Sequence, residues 1–157
     1  MVALETLEKL DFLEGFPPDY LKPLAAVAET VNVPTGEVLF REGERSPSVY
    51  IVISGKVSLE TWMRGNGVTR IQTVGPGKLL GWTPILCRQP MTACAVASEP
   101  CRLVAINAMQ VLEVCAENPR FGMELMRRTA IALSRRLNAT RQQLLDAYES
   151  TMPVMSE

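Results

Sequence analysis

The stretch VPTGEVLFREGERSPSVYIVISGKVSLE, residues 33–60, decides the fold. At its centre Val49, Tyr50, Ile51, Val52 and Ile53 form an unbroken β-branched and aromatic run, the pattern of a buried strand. Beyond Gly55, Val57, Leu59 and Thr61 alternate with Ser58, Glu60 and Trp62, a period of two that turns every second side chain to one face. Next comes Arg64-Gly65-Asn66-Gly67, a strong hairpin signal, because two glycines and an asparagine tolerate positive φ. Glycines punctuate the whole region at Gly36, Gly43, Gly55, Gly65, Gly67, Gly75, Gly77 and Gly81. Short strands at regular spacing with glycine turns indicate a sandwich or closed barrel over residues 30–107.

Both flanks read as helix. In residues 1–29, Leu4, Leu7, Leu10 and Leu13 repeat at helical spacing until Gly15 stops the run. Pro17-Pro18-Asp19 then opens a second short helix through Leu21, Leu24, Ala25 and Ala28. After the strands, Asn107 begins a short helix ending near Ala116. Asn118-Pro119 opens a long one, with Asn as N-cap and Pro at the first helical position. No proline follows until Pro153, so this helix runs about 30 residues, or roughly 45 Å. Residues 107–149 are the C-terminal helices and 150–157 a tail. The order helices, barrel, long helix makes residues 1–157 one α+β domain, not an alternating β/α fold with a parallel sheet. No GxGxxG or Walker A motif is present.

Composition narrows the function classes. The 157 residues are 47% apolar and 21% charged, enough apolar content for a packed core and against disorder. Net charge is −1, so the whole molecule has no electrostatic reach for nucleic acid or anionic lipid. The absence of histidine removes His-based triads, His-bound zinc and His-ligated haem. No carboxylate pair has interpretable spacing, so no catalytic residue and no enzymatic activity are expected. Cys87, Cys94 and Cys101 fall at intervals of seven, unlike metal or redox motifs, and with Cys115 read as small buried hydrophobes; no metal site is expected. The N-terminus MVALETLEKLDFLEGF lacks a basic n-region and an apolar h-region, and no stretch reaches the length of a membrane span. A cytoplasmic location without membrane contact follows as the expectation.

The long helix carries a second pattern. Met126, Ala130, Leu133, Leu137, Thr140, Leu144 and Ala147 are spaced 4-3-4-3-4-3, an a/d stripe over three heptads with Thr140 its one polar member. The stripe either packs on the chain's own barrel or pairs with a second copy in a parallel homodimer; the helix's length favours the pair. Residues 118–149 hold six arginines against Glu124, Asp146 and Glu149, a local net +3. In a parallel dimer Arg136 at g faces Arg141 at e, a like-charge pair. Those arginines either splay into solvent or frame an anion site beside Thr140.

Residues 33–60, with GPGKLLGW at 75–82 and MTACAVA at 91–97, resemble the cyclic nucleotide-binding domain, nearest to bacterial regulators of the catabolite activator and fumarate-nitrate regulator class. Gly36, Glu42, Gly43, Tyr50, Gly55 and Gly77 fall on that family's turn and strand pattern, and SRRLNATRQQLL at 134–145 resembles its dimerising helix. The resemblance implies a jelly-roll-like β-barrel of eight strands, interrupted by a phosphate-binding cassette, here residues 77–93. In the family pattern the cassette's Gly-Glu is followed, about nine residues after the Glu, by Arg-Ser/Thr/Ala-Ala. The Glu accepts from the ribose 2′-hydroxyl and the Arg pairs with the cyclic phosphate.

Here Gly81 is kept, but Trp82 stands where the Glu would be and Met91 where the Arg would be, while Thr92 and Ala93 keep the rest. An indole cannot accept a hydroxyl proton and a thioether carries no charge. Losing one partner of a desolvated charge pair costs about 2–5 kcal/mol, which weakens binding roughly 30- to several-thousand-fold. The implied ligand site comprises Gly81, Trp82, Thr83, Met91, Thr92 and Ala93 on the barrel, with Thr140 and Arg141 on the helix. Its occupant is a cyclic nucleotide, another small anionic or aromatic ligand, or none. Past Tyr148 the sequence reads ESTMPVMSE, with no room for the family's helix-turn-helix, so direct DNA binding is not expected. The reading is a stand-alone, dimeric regulatory module acting through a small-molecule effector or a protein partner. The alternatives are a ligand-free structural protein and the effector domain of a regulator that lost its DNA-binding part.

Overall fold

Strands β1 (Ala28–Val33), β8 (Cys101–Asn107), β3 (Ser48–Ser54) and β6 (Leu79–Leu80) form one four-stranded sheet, in that order. Strands β2 (Val38–Phe40), β7 (Cys94–Ala97), β4 (Val57–Met63) and β5 (Gly67–Val74) form the other. The computed structural model describes residues 1–151. Every strand pairing is antiparallel. The interior holds Val33, Val52, Leu80 and Leu103 of the first sheet against Phe40, Val57, Leu59, Val74 and Ala95 of the second. The α+β reading is therefore what the chain folds into, with eight strands among the described residues.

The run Val49–Ile53 has no polar alternation because β3 is covered on both faces. Val49 and Ile51 pack toward the helices, whereas Val52 and Tyr50 face the barrel interior. The β4–β5 hairpin turns where Gly65 and Gly67 take φ of 91° and 68°, values that L side chains adopt at a cost. Gly55 is needed for a second reason: a Cβ there would strike the Pro100 carbonyl and the Cys101 backbone.

The N-terminal leucines do not make one helix. They split between α1 (Leu4–Glu8) and a 3₁₀ turn at Asp11–Leu13. A strict spacing of three falls about 60° short of a full α-helical turn at each step, so four leucines would fan around the helix. The tighter turn keeps Leu7, Leu10 and Leu13 all in one buried cluster, and Phe12 N–H donates to the Gly77 carbonyl at 3.0 Å. Helix α2 (Pro18–Val27) follows, and Ala28 already belongs to β1.

Helix α3 (Thr83–Leu86) is a single turn within the cassette. Helix α4 (Ala108–Glu117) starts as expected, with Asn107 Oδ1 accepting from Met109 N–H at 3.0 Å and Gln110 N–H at 3.3 Å. Helix α5 (Pro119–Thr151) has 33 residues, about 50 Å at the standard rise. It runs through the first two positions of the expected tail; residues 152–157 lie outside the described residues. Gly122 lets α5 close on α4, since a Cβ there would come within 2.9 Å of Cys115 Cβ. Cys101 is buried as expected, but Cys94 and Cys115 are only half-buried, and Cys87 is exposed because it lies at the surface end of the one-turn α3. Among the described residues no helix is long and apolar enough to cross a membrane.

Candidate functional site

The cassette is built from three short pieces. Strand β6 pairs Leu80 with Tyr50 and Leu79 with Ile51, which fixes Gly81 at the barrel wall. Gly81 takes φ of 75°, and a Cβ on it would lie 3.4 Å from Phe40, 3.7 Å from Tyr50 and 3.8 Å from Met91. Conformation and space both demand glycine there. The chain then turns through α3, where Ile85 N–H donates to the Trp82 carbonyl at 3.0 Å and Cys87 N–H to the Thr83 carbonyl at 2.9 Å. On the return, Met91 is clamped by two backbone bonds: its N–H donates to the Glu44 carbonyl at 2.9 Å, and its carbonyl accepts from Gly43 N–H at 2.8 Å.

That clamp drives the Met91 side chain inward. It is 5% exposed and packs in the interior cluster with Phe40, Val52 and Leu80. The Phe40 and Tyr50 rings lie beside it, with centroids 6.5 Å apart, and burial pushes the Tyr50 phenol up from its ordinary pKa. The space next to Gly81 is thus filled by a thioether and two rings. Ala93 is buried, Thr83 half-buried and Thr92 exposed. Glu42, on the neighbouring turn, accepts from Thr61 Oγ1 at 2.9 Å.

Trp82 leaves the barrel and meets the long helix. The Arg136 guanidinium lies over its ring, 4.1 Å from the centroid, and also donates to the Leu79 carbonyl. Burial pulls Arg136 down to about 10, so it is still a cation at neutral pH. Strand β5 adds further ties. Gln72 Nε2 donates to the Arg136 carbonyl and to Thr140 Oγ1, each at 3.4 Å, and Gln143 Nε2 donates to the Ile71 carbonyl at 2.7 Å.

Arg136 thus has partners within its own chain, the Trp82 ring and the Leu79 carbonyl, which hold it on the barrel side. Arg141 is exposed. Of the predicted site residues, the structure brings Gly81 and Met91 together and ties Thr140 to β5, while Trp82 reaches the helix through Arg136, one turn before Thr140. Sequence reasoning placed Arg136 at a g position among the helix arginines and missed its contact with Trp82. The signal for it was its place on the stripe Phe121, Leu125, Thr129, Ala132 and Arg136, of which Phe121, Leu125 and Thr129 are buried.

Most of the heptad stripe lies on another face, with Thr140 at its edge meeting β5. Met126 and Leu133 are half-buried, whereas Ala130, Leu137, Thr140, Leu144 and Ala147 are exposed. Leu137 and Leu144 are 69% and 68% exposed, so the chain's own barrel leaves them uncovered.

Comparison with known proteins places this geometry. The sequence profile of the cyclic nucleotide-binding domain matches residues 30–118. The CRP-like cAMP-activated global transcriptional regulator of Mycobacterium tuberculosis is 27% identical over 149 residues, 95% of this chain. The chain spans 65% of that regulator's length, just under two thirds. The catabolite activator protein of Thermus thermophilus superposes with a TM-score of 0.71 at 26% identity, covering 85% of this chain and 61% of its own. A cyclic nucleotide-binding domain from Methylobacillus flagellatus superposes with a TM-score of 0.80 at 20% identity, over 98% of this chain and 84% of its own, a likeness of fold.

Proposed function

We propose, from the premise that this chain belongs to the cyclic nucleotide-binding domain family, that it is a dimeric regulatory module whose barrel does not hold a cyclic nucleotide at ordinary family affinity. One observation carries this reading: the Met91 side chain lies in the barrel's apolar cluster, where the family pattern places the phosphate-binding Arg. Arg136, on the facing helix, is engaged by Trp82 and Leu79 instead. The open leucines of α5 support a parallel pairing of two copies. The module has no catalytic role; a protein partner, or a DNA-binding segment joined to it, reads its state.

The experiment is a thermal-shift screen of cyclic mononucleotides, cyclic dinucleotides and aromatic acids. A ligand at one hundred times its dissociation constant adds about 2.7 kcal/mol, which is readily seen. Cyclic AMP shifting the midpoint at micromolar concentration would overturn the reading. The filled space beside Gly81 also favours a second reading, a scaffold that takes no ligand at all; any saturable shift in the screen removes it.

A further inference from the structure

Between α5 and the barrel runs a cleft of about 460 Å³, within the usual range for small-molecule sites. It is separate from the space beside Gly81. The 3₁₀ turn, the end of β5 and the loop into β6 form one wall, and residues 127–139 of α5 form the other. Its floor is apolar: Phe12, Val74, Leu79 and Ile131, with Ala132 and Ala139 leaving room on the helix side.

Its rim is cationic. Lys78, Arg127, Arg128, Arg135 and Arg136 line it, against the single acid Asp11, a lining charge of +4 in a chain whose net charge is −1. Some of that charge is already matched. Glu124 pairs with Arg127 at 3.0 Å and with Arg128 at 2.9 Å. Lys78 makes only a long, exposed pair with Asp11 at 3.6 Å. Arg135 has no ion-pair partner among the described residues. Cations gathered over an apolar wall focus a positive field into the cleft.

We propose that this cleft binds a small organic anion with a flat or branched apolar body, held by Arg135 and Lys78 at the rim and by the Phe12–Ile131 floor. The proposal goes beyond the function above and does not depend on it, since a nucleotide in the barrel would leave the cleft open. The helix geometry suits a regulatory ligand. Residues 128, 131, 135 and 139 face the cleft, while 130, 133, 137 and 144 lie on the opposite side, so a ligand and a second copy would grip α5 from two sides without competing.

The probe is 8-anilinonaphthalene-1-sulfonate, titrated into the full chain by fluorescence, with N-phenyl-1-naphthylamine as the same rings without the sulfonate. The sulfonate dye should saturate one site per chain and bind at least about tenfold tighter than the neutral one, the effect of a single charge contact. Arg135→Glu changes an exposed side chain and should keep the fold; it should weaken the dye at least about tenfold. Ala132→Phe, which fills the floor, should abolish saturable binding; if that variant does not fold, Arg135→Glu alone decides. Equal affinity for both dyes would overturn the proposal, as would dye binding that survives Arg135→Glu unchanged, which would place it on the open leucine stripe or elsewhere.

Discussion

Replacing Leu137 with Asp should turn a dimer into monomers while leaving each barrel intact. Fully burying a leucine stabilises by about 1.5–3 kcal/mol, and Leu137 and Leu144 each have 69% and 68% of their surface still to bury. Each therefore offers about 1–2 kcal/mol, and the four copies in a parallel pair about 4–8 kcal/mol before the cost of association. Asp at position 137 removes about 2–4 kcal/mol of this from the two chains and sets two carboxylates against each other in the seam. Desolvating each ion costs several kcal/mol more. The total exceeds about 4 kcal/mol, or roughly a thousandfold in the dissociation constant. Sedimentation velocity at micromolar concentration should show the mass halve, with unchanged far-UV circular dichroism because Leu137 touches no core cluster. A variant that sediments as the unmodified dimer would refute the assignment of the seam to this stripe.

Calorimetry with cyclic AMP should give a dissociation constant no tighter than about 100 μM, from the loss of the charged partner. Trp82→Glu with Met91→Arg should melt lower without ligand, since an unpaired buried charge costs about 3–5 kcal/mol, and should regain stability when cyclic AMP is added; no ligand-dependent recovery would mean the pocket is closed for other reasons. In a Trp62→Phe background, Arg136→Ala should red-shift Trp82 emission and raise its quenching by acrylamide, with only a small change in melting temperature because removing the cation also removes its burial cost. Glu124 is held at about 2, against an ordinary 4.5, by hydrogen bonds from Arg127 and then Arg128. A carboxyl lowered in the fold stabilises above its unfolded value and loses that contribution as pH falls through its folded one. The melting-temperature gap between the unmodified chain and Glu124→Gln should be constant above about pH 5 and close toward pH 2; a gap indifferent to pH would mean the two arginines are held by other contacts.

The barrel was legible because strand signals are local. A β-branched run, a period-two stretch and glycines at turns each specify structure within a few residues. The Asn107 and Asn118-Pro119 helix starts were legible for the same reason. The leucine repeat at 4, 7, 10 and 13 was misread because a spacing of three suits either an α-helix or a 3₁₀ turn, and the Phe12–Gly77 bond that favours the tighter turn joins segments distant in sequence. The cassette's departures at Trp82 and Met91 could be read one residue at a time. What Trp82 does instead could not, because its partner Arg136 is 54 positions away and looked like one more surface arginine. The cleft lining is equally non-local, drawn from the N-terminal turn, a strand end and the middle of the longest helix.

Helix α5 is fastened to the barrel up to Gln143, whose amide reaches the Ile71 carbonyl, and beyond it residues 144–151 are exposed. Those eight residues extend about 12 Å past that tie. Mechanically this is a lever with its fulcrum at the edge of β5. A tilt of about 10° at the fulcrum would carry the tip sideways by about 2 Å, comparable with the helix shifts that separate two packed states in switching proteins. A displacement too small to disturb the barrel's own hydrogen bonds would thus be magnified at the far end of the rod.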